Sequence, residues 1–147
     1  MEAVCKRFDE LTGGELYGIL KSRAEVFVVE QGIIYQDMDE KDKFSTHLFF
    51  KENDRIVSYL RVIDPGVKYP EYSIGRVLTL KKFRGKGLSS ALMKSALAFI
   101  QERSDISVKM EAQAYLRKFY ETLGFRAVSD EFILEGIPHI NMIYDGN

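Results

Sequence analysis

The chain has 147 residues, a formal net charge of −1, 46% hydrophobic and 29% charged residues, one cysteine (Cys5) and two histidines (His47, His139). Such a composition supports a packed core and excludes a disordered chain, and its near-neutral balance gives no field that favours nucleic acid or an anionic membrane. Too few thiols and imidazoles are present for an internal disulfide or a dedicated zinc site, the N-terminus lacks a signal-like apolar core, and no apolar run approaches membrane-spanning length, so one cytoplasmic, metal-free domain over residues 1–147 is expected.

In chain order, Ala3 to Phe8 reads as a first strand, with Cys5 a small core residue rather than a nucleophile. Thr12 and Glu15 stand three apart, the signature of a helix start. Leu16, Ile19, Leu20, Arg23, Val26 and Phe27 then follow at helical spacing, and the helix is expected to run to Glu30–Gln31 and stop near Gly32. Residues 31–43 are polar and aperiodic. Their acidic segment, Gln36 to Asp42, reads as a solvated loop, the sharper alternative being a rim that attracts a cationic amine; it lacks the glycine and ligand spacing of an EF-hand. Thr46–Lys51 and Arg55–Asp64 predict two strands joined in a hairpin around Glu52-Asn53-Asp54.

Ile74 to Leu80 is apolar enough for a buried strand. It feeds the turn Arg84-Gly85-Lys86-Gly87 and then a helix to about Arg103, with Leu88, Leu92, Ala96 and Phe99 on its apolar face. A strand, a glycine turn and a helix N-terminus aim unpaired N–H groups at one point, an anion site suited to phosphate. Val108–Ala112 is a short strand, and Ala114–Leu123 a helix ended by Gly124. Phe125–Val128 and Phe132–Leu134 are strand material, and Ile137–Tyr144 is a last strand. The order β-α-β-β-β-α-β-α-β-β predicts an α/β fold with a mixed central sheet flanked by helices.

Val77-Leu-Thr-Leu, then Arg84-Gly-Lys-Gly-Leu-Ser, then Phe119-Tyr-Glu-Thr-Leu-Gly-Phe125 resembles the GCN5-related N-acetyltransferase (GNAT) family. A fuller likeness, to its ElaA-like branch, rests on Phe8-Asp-Glu-Leu11, Arg23-x-Glu-Val-Phe-Val-Val-Glu-Gln31, Tyr35-Gln-Asp37, Ile74-Gly-Arg-Val77, Ala112-Gln-Ala114 and Gly136-Ile-Pro-His-Ile140. The resemblance implies a single GNAT domain that transfers acetyl from acetyl-CoA directly to a primary amine of a small or amino-acid-like molecule. An acyl-CoA-binding regulatory module without turnover and a protein or peptide acetyltransferase are the alternatives. A homodimer is left open.

The same resemblance assigns candidate residues. The amides of Gly85, Lys86, Gly87, Leu88, Ser89 and Ser90, with Arg84 beside them, would cradle the pyrophosphate. Ser89 stands where the family has Gly or Ala. Backbone groups of Val77, Leu78 and Thr79 would hold the pantetheine arm and the thioester carbonyl, and Gln113 stands where many relatives have an Asn that bonds that arm. Tyr120 corresponds to the tyrosine that protonates the leaving thiolate. His139 is a base at the acceptor amine or a structural histidine bonded to backbone, with Glu30 and His47 as second candidates. Arg76, a lone arginine in an apolar strand, needs a carboxylate: an internal one such as Glu111, or that of the substrate. Arg76 and Glu30 are therefore the candidate acceptor-binding residues.

Overall fold

The structure, a computed structural model, describes residues 1–146. Helix α1 (Gly13–Arg23) opens as expected. The Thr12 hydroxyl accepts from the Glu15 N–H at 3.0 Å and the Glu15 carboxylate accepts from the Thr12 N–H at 2.9 Å, so each supplies a partner the helix start lacks. Beyond Arg23 the helix widens into a π-helix, Ala24–Glu30, with Gln31 N–H bonded to the Val26 carbonyl and Ile33 N–H to that of Val28. Gly32, at φ 67°, then turns the chain away.

Strands β1 (Val4–Arg7), β2 (Ser45–Glu52), β3 (Arg55–Ile63), β4 (Tyr72–Thr79), β5 (Val108–Gln113), β6 (Arg126–Ala127), β7 (Phe132–Leu134) and β8 (Ile137–Tyr144) form one sheet. Its order is β1-β2-β3-β4-β5-β8-β6, with β7 also on β8. The expected order of strands and helices along the chain holds, and the material between 125 and 134 resolves into two short strands that share β8. Asn53 (φ 49°) and Asp54 (φ 66°) turn the β2–β3 hairpin with two left-handed residues, as a two-residue type I′ turn requires. Residues 45–50 and 56–63 are buried without interruption, so both faces of the sheet's centre are covered. Helix α2 (Leu88–Gln101) packs on this centre through Leu92, Met93, Ala96, Leu97 and Ile100. No helix among the described residues is long and apolar enough to cross a membrane.

Two irregularities open the sheet at its middle. β4 and β5 pair in parallel only at Tyr72–Val108 and Ser73–Lys109, and then diverge. β4 also bulges: Gly75 faces Arg61 and Leu78 faces Tyr59, leaving Arg76 and Val77 opposite Leu60 alone. Helix α3 (Arg117–Thr122) is fixed from its C-terminal side. Gly124 takes φ 102°, and a Cβ there would lie 2.9 Å from the Tyr144 ring. Phe125 donates its N–H to the Tyr120 carbonyl at 3.1 Å and packs edge-on against the Tyr120 ring.

Two sequence expectations are corrected. Cys5 is exposed on β1 rather than part of the core, because β1 is an edge strand whose outward side chains meet solvent. The acidic segment is no solvated loop. Asp42 is buried, and Asp37, Asp39 and Asp42 are tied to Arg23, Arg61 and Arg76.

Candidate active site

The glycine turn and the helix start that follows it are built as the sequence implies. Gly85 and Gly87 take φ 82° and 76°, and a Cβ at either would meet nothing within 4 Å, so glycine is required by backbone conformation and the space before it is open. No side chain caps α2. Among the described residues the N–H groups of Gly85 to Ser90 have no hydrogen-bond acceptor. Orphan N–H groups at the positive end of a 14-residue helix make an anion site. Ser89 does not crowd it: its hydroxyl lies 2.6 Å from that of Thr79, which in turn is 2.9 Å from the Ser58 hydroxyl. The residue that departs from the family pattern thus ties the start of α2 to the end of β4. Lys86 stands exposed over the Phe83 ring.

From the cradle a slot of about 270 Å³ runs along the open side of β4, past Leu78, Thr79 and Ser89 and against Phe119 and Tyr120. Arg84 and Glu30 close on each other across its lining, with guanidinium-to-carboxylate bonds of 2.7 and 2.8 Å, and Arg84 Nε donates to the Thr79 carbonyl at 2.8 Å. The hydrogen bond from Arg84 holds the Glu30 carboxyl below its ordinary range. Glu30 therefore lines this slot, and it does not line the cavity that holds Arg76.

A second cavity, of about 150 Å³, opens where β4 and β5 diverge. Arg76, Glu111, Gln113, Tyr120 and His139 all line it. The two spaces share Phe27, Gln31, Val77, Gln113, Leu116 and Tyr120. Tyr120 is 2% exposed, its hydroxyl has no hydrogen-bond partner among the described residues, and burial pushes its phenol pKa up. It is thus a protonated donor at neutral pH, facing the junction of the two spaces. The side-chain amides of Gln31 and Gln113 bond each other at 3.3 and 3.4 Å, so the Gln113 amide is already engaged by a protein partner.

His139 is bonded to backbone and also lines the second cavity. Its Nδ1 lies 2.7 Å from the Ile137 carbonyl. A carbonyl only accepts, so the neutral ring carries its proton on Nδ1 and leaves a lone pair on Nε2. Phe132 stacks on the ring at 6.1 Å and helps fix its plane. His47, by contrast, is fully buried, with Nδ1 2.6 Å from the Tyr59 hydroxyl and Nε2 2.9 Å from the Asp42 carbonyl. Both nitrogens are occupied, burial lowers its pKa, and it lines neither space. As a base it is ruled out by position.

Arg76 finds its carboxylate within the protein, but not in Glu111, which pairs with Lys68. Its partner is Asp37, at 2.8 Å from Nε. Asp37 also accepts from Arg23 Nε at 2.8 Å, Asp42 accepts from Arg23 and Arg61 at 2.6 and 3.0 Å, and Asp39 takes Arg61 bidentately at 2.7 and 2.6 Å. Burial alone would raise the Asp39 and Asp42 carboxyls; the arginines outweigh it and hold both below the usual range. Phe27, Gln31 and Tyr35 are site residues that spacing alone did not single out. Their only signal was the family likeness across Arg23–Gln31 and Tyr35–Asp37.

Known proteins are similar in sequence and fold. A family model described as an acetyltransferase (GNAT) domain matches residues 17–145. The UPF0039 protein sll0451 of Synechocystis is 41% identical over 141 residues, covering 95% of this chain and 92% of that protein. An acyl-CoA N-acyltransferase from Pseudomonas aeruginosa superposes with a TM-score of 0.91 at 38% identity, covering 97% of this chain and 98% of that one. The crystal structure of Escherichia coli ElaA does so with a TM-score of 0.91 at 34% identity and the same coverage.

Proposed function

The chain belongs to the GNAT acetyltransferase family, in its ElaA-like branch, and from that premise we propose that it transfers acetyl from acetyl-CoA directly to the primary amine of a small molecule, amino-acid-like amines included. The observation that carries this reading is the meeting of a phosphate-ended slot and a small cavity at one buried, protonated tyrosine, Tyr120.

The donor fits the residues present. Acyl-CoA supplies an activated thioester and a pyrophosphate; the open, glycine-turned cradle suits the latter, and the narrow slot suits an extended pantetheine arm. The N–H groups of Gly85 to Ser90 hold the phosphates. Backbone groups of Val77 to Thr79 hold the arm and stabilise negative charge on the carbonyl oxygen as the amine attacks. His139 Nε2 takes the proton that the amine must lose, with Nδ1–H anchored on Ile137 so that the ring keeps its orientation. Tyr120 gives its phenolic proton to the departing thiolate. Attack is direct because the only cysteine, Cys5, is on β1 and lines neither space. A cavity of about 150 Å³ supports a small acceptor rather than a folded one.

The test is release of free CoA thiol from acetyl-CoA over a panel of small primary amines and amino acids. Amine-dependent release by the wild type, with kcat reduced by about 100-fold or more in His139→Ala, is the expected result. Acetyl-CoA hydrolysis or thiol release that no amine accelerates would contradict it.

A further inference from the structure

We propose that Arg76 and Asp37 form a clamp that holds the bulge of β4, and that Arg76 acts on the reaction through this backbone rather than by touching the acceptor. Arg76 is a non-glycine residue at φ 53°, a left-handed conformation that an ordinary side chain disfavours. A strained residue persists only where its surroundings over-determine it. In most sheets the neighbouring strand would do so. Here β5 has already left β4 after Ser73–Lys109, so one side of the bulge has no ladder. The restraint comes from the side chain instead.

That restraint is well defined. Arg76 Nε donates to Asp37 Oδ1 at 2.8 Å and Nη2 donates to the Asp37 carbonyl at 2.9 Å, while the guanidinium lies over the Tyr35 ring at 5.9 Å. Asp37 is itself immobilised: its Oδ2 accepts from Arg23 Nε at 2.8 Å, its carbonyl from Arg23 Nη2 at 3.1 Å, and its Oδ1 from the Tyr35 hydroxyl at 2.9 Å. Arg23 is completely buried at the end of α1. A chain of bidentate and charge-assisted bonds therefore runs from α1 through Asp37 to the bulge, which Val77 completes and Leu78 follows. Both residues line the slot beside Tyr120. The clamp explains why an arginine occupies a position whose backbone would suit glycine: the side chain supplies the rigidity that glycine would lack.

The inference rests on the acetyl-transfer reading for its kinetic consequence, but not for its geometry. Arg76→Ala removes the clamp and keeps the strain; Arg76→Gly removes both. Arg76→Ala is expected to lose the bulge in its crystal structure and to lower kcat by about tenfold or more, with the amine KM within about twofold of wild type. Arg76→Gly is expected to keep φ positive at residue 76 and to recover most of that loss, within about threefold of wild type. Two results would overturn the clamp: a crystal structure of Arg76→Ala with φ at residue 76 still near the wild-type value, or a rise in amine KM with kcat intact in both variants, the mark of a direct acceptor contact. Should Arg76→Ala not fold, Arg76→Gln takes its place with the same readouts. If no amine is turned over by the wild type, the activity reading fails and the crystal structures decide the clamp alone.

Discussion

Asp42→Asn tests whether the acidic segment is structural. Asn keeps the shape of Asp42 and an oxygen where Oδ1 now accepts from both Arg23 and Arg61. It removes the charge alone, leaving Arg23, Arg61 and Arg76 against two carboxylates in a region where Arg23 and Arg61 are 0% and 2% exposed. Uncompensating a buried charge costs about 3–5 kcal/mol, and each arginine keeps a second carboxylate, Asp37 or Asp39, so the low end, about 3 kcal/mol, is expected. For a chain of this size that corresponds to a fall in Tm of about 6–12 °C. Urea unfolding at constant m, checked by calorimetry, measures it. Glu40→Gln is the control on the same segment: its partner Lys43 and it are both exposed, and a change within about 0.5 kcal/mol is expected. A loss below about 1 kcal/mol for Asp42→Asn would mean that the segment is solvated after all, since that is the scale of an exposed surface pair.

The same geometry fixes three further outcomes. Stability should fall with acid in two stages. His47 is held neutral by burial, so the unfolded chain takes up its proton first and stability drops as pH falls below about 6.5; Asp39 and Asp42 have lowered folded pKa values, so their contribution is present above about pH 4 and is lost as pH falls below it. Denaturant midpoints between pH 3 and 8 check both stages, and the second should flatten in Asp42→Asn. Tyr120→Phe removes a hydroxyl with no protein partner, so kcat should fall about 100-fold or more while Tm stays within about 1 °C; equal loss of both would assign Tyr120 to packing alone. Gly124→Ala places a Cβ 2.9 Å from the Tyr144 ring at φ 102° and should destabilise by about 1–3 kcal/mol in thermal unfolding, unless that ring swings clear at no cost.

What the sequence made legible were features written in local chemistry. Thr12 and Glu15 cap α1, Asn53 and Asp54 turn the hairpin, and Gly85 and Gly87 open the cradle, each because the residue type and its immediate neighbours determine the backbone. Tyr120 was singled out by the family resemblance over Phe119–Phe125, and Gly124 and Phe125 lock its helix from one turn away. The acidic segment was not, because its carboxylates meet arginines far along the chain, Arg23 on α1, Arg61 on β3 and Arg76 on β4; read alone, a run of aspartates looks solvated. The pairing of Arg84 with Glu30 joins residues 54 apart and was equally hidden. Arg23 sat at helical spacing among apolar residues, and that spacing marked its burial without its partners. The π-helix that carries Phe27 to the cavities, and ends just before Gln31, changes the period within one helix, which a fixed 3.6-residue template does not register.

Whether donor and acceptor meet at Tyr120 is decided most directly by a crystal structure with acetyl-CoA. The pyrophosphate is expected on the N–H groups of Gly85 to Ser90. The thioester is expected at the shared wall of the two spaces, its sulfur within about 3.5 Å of the Tyr120 hydroxyl and its carbonyl carbon open to the cavity that holds His139. An acetyl group directed away from that cavity, or a cofactor bound off the cradle, would contradict the proposed meeting point.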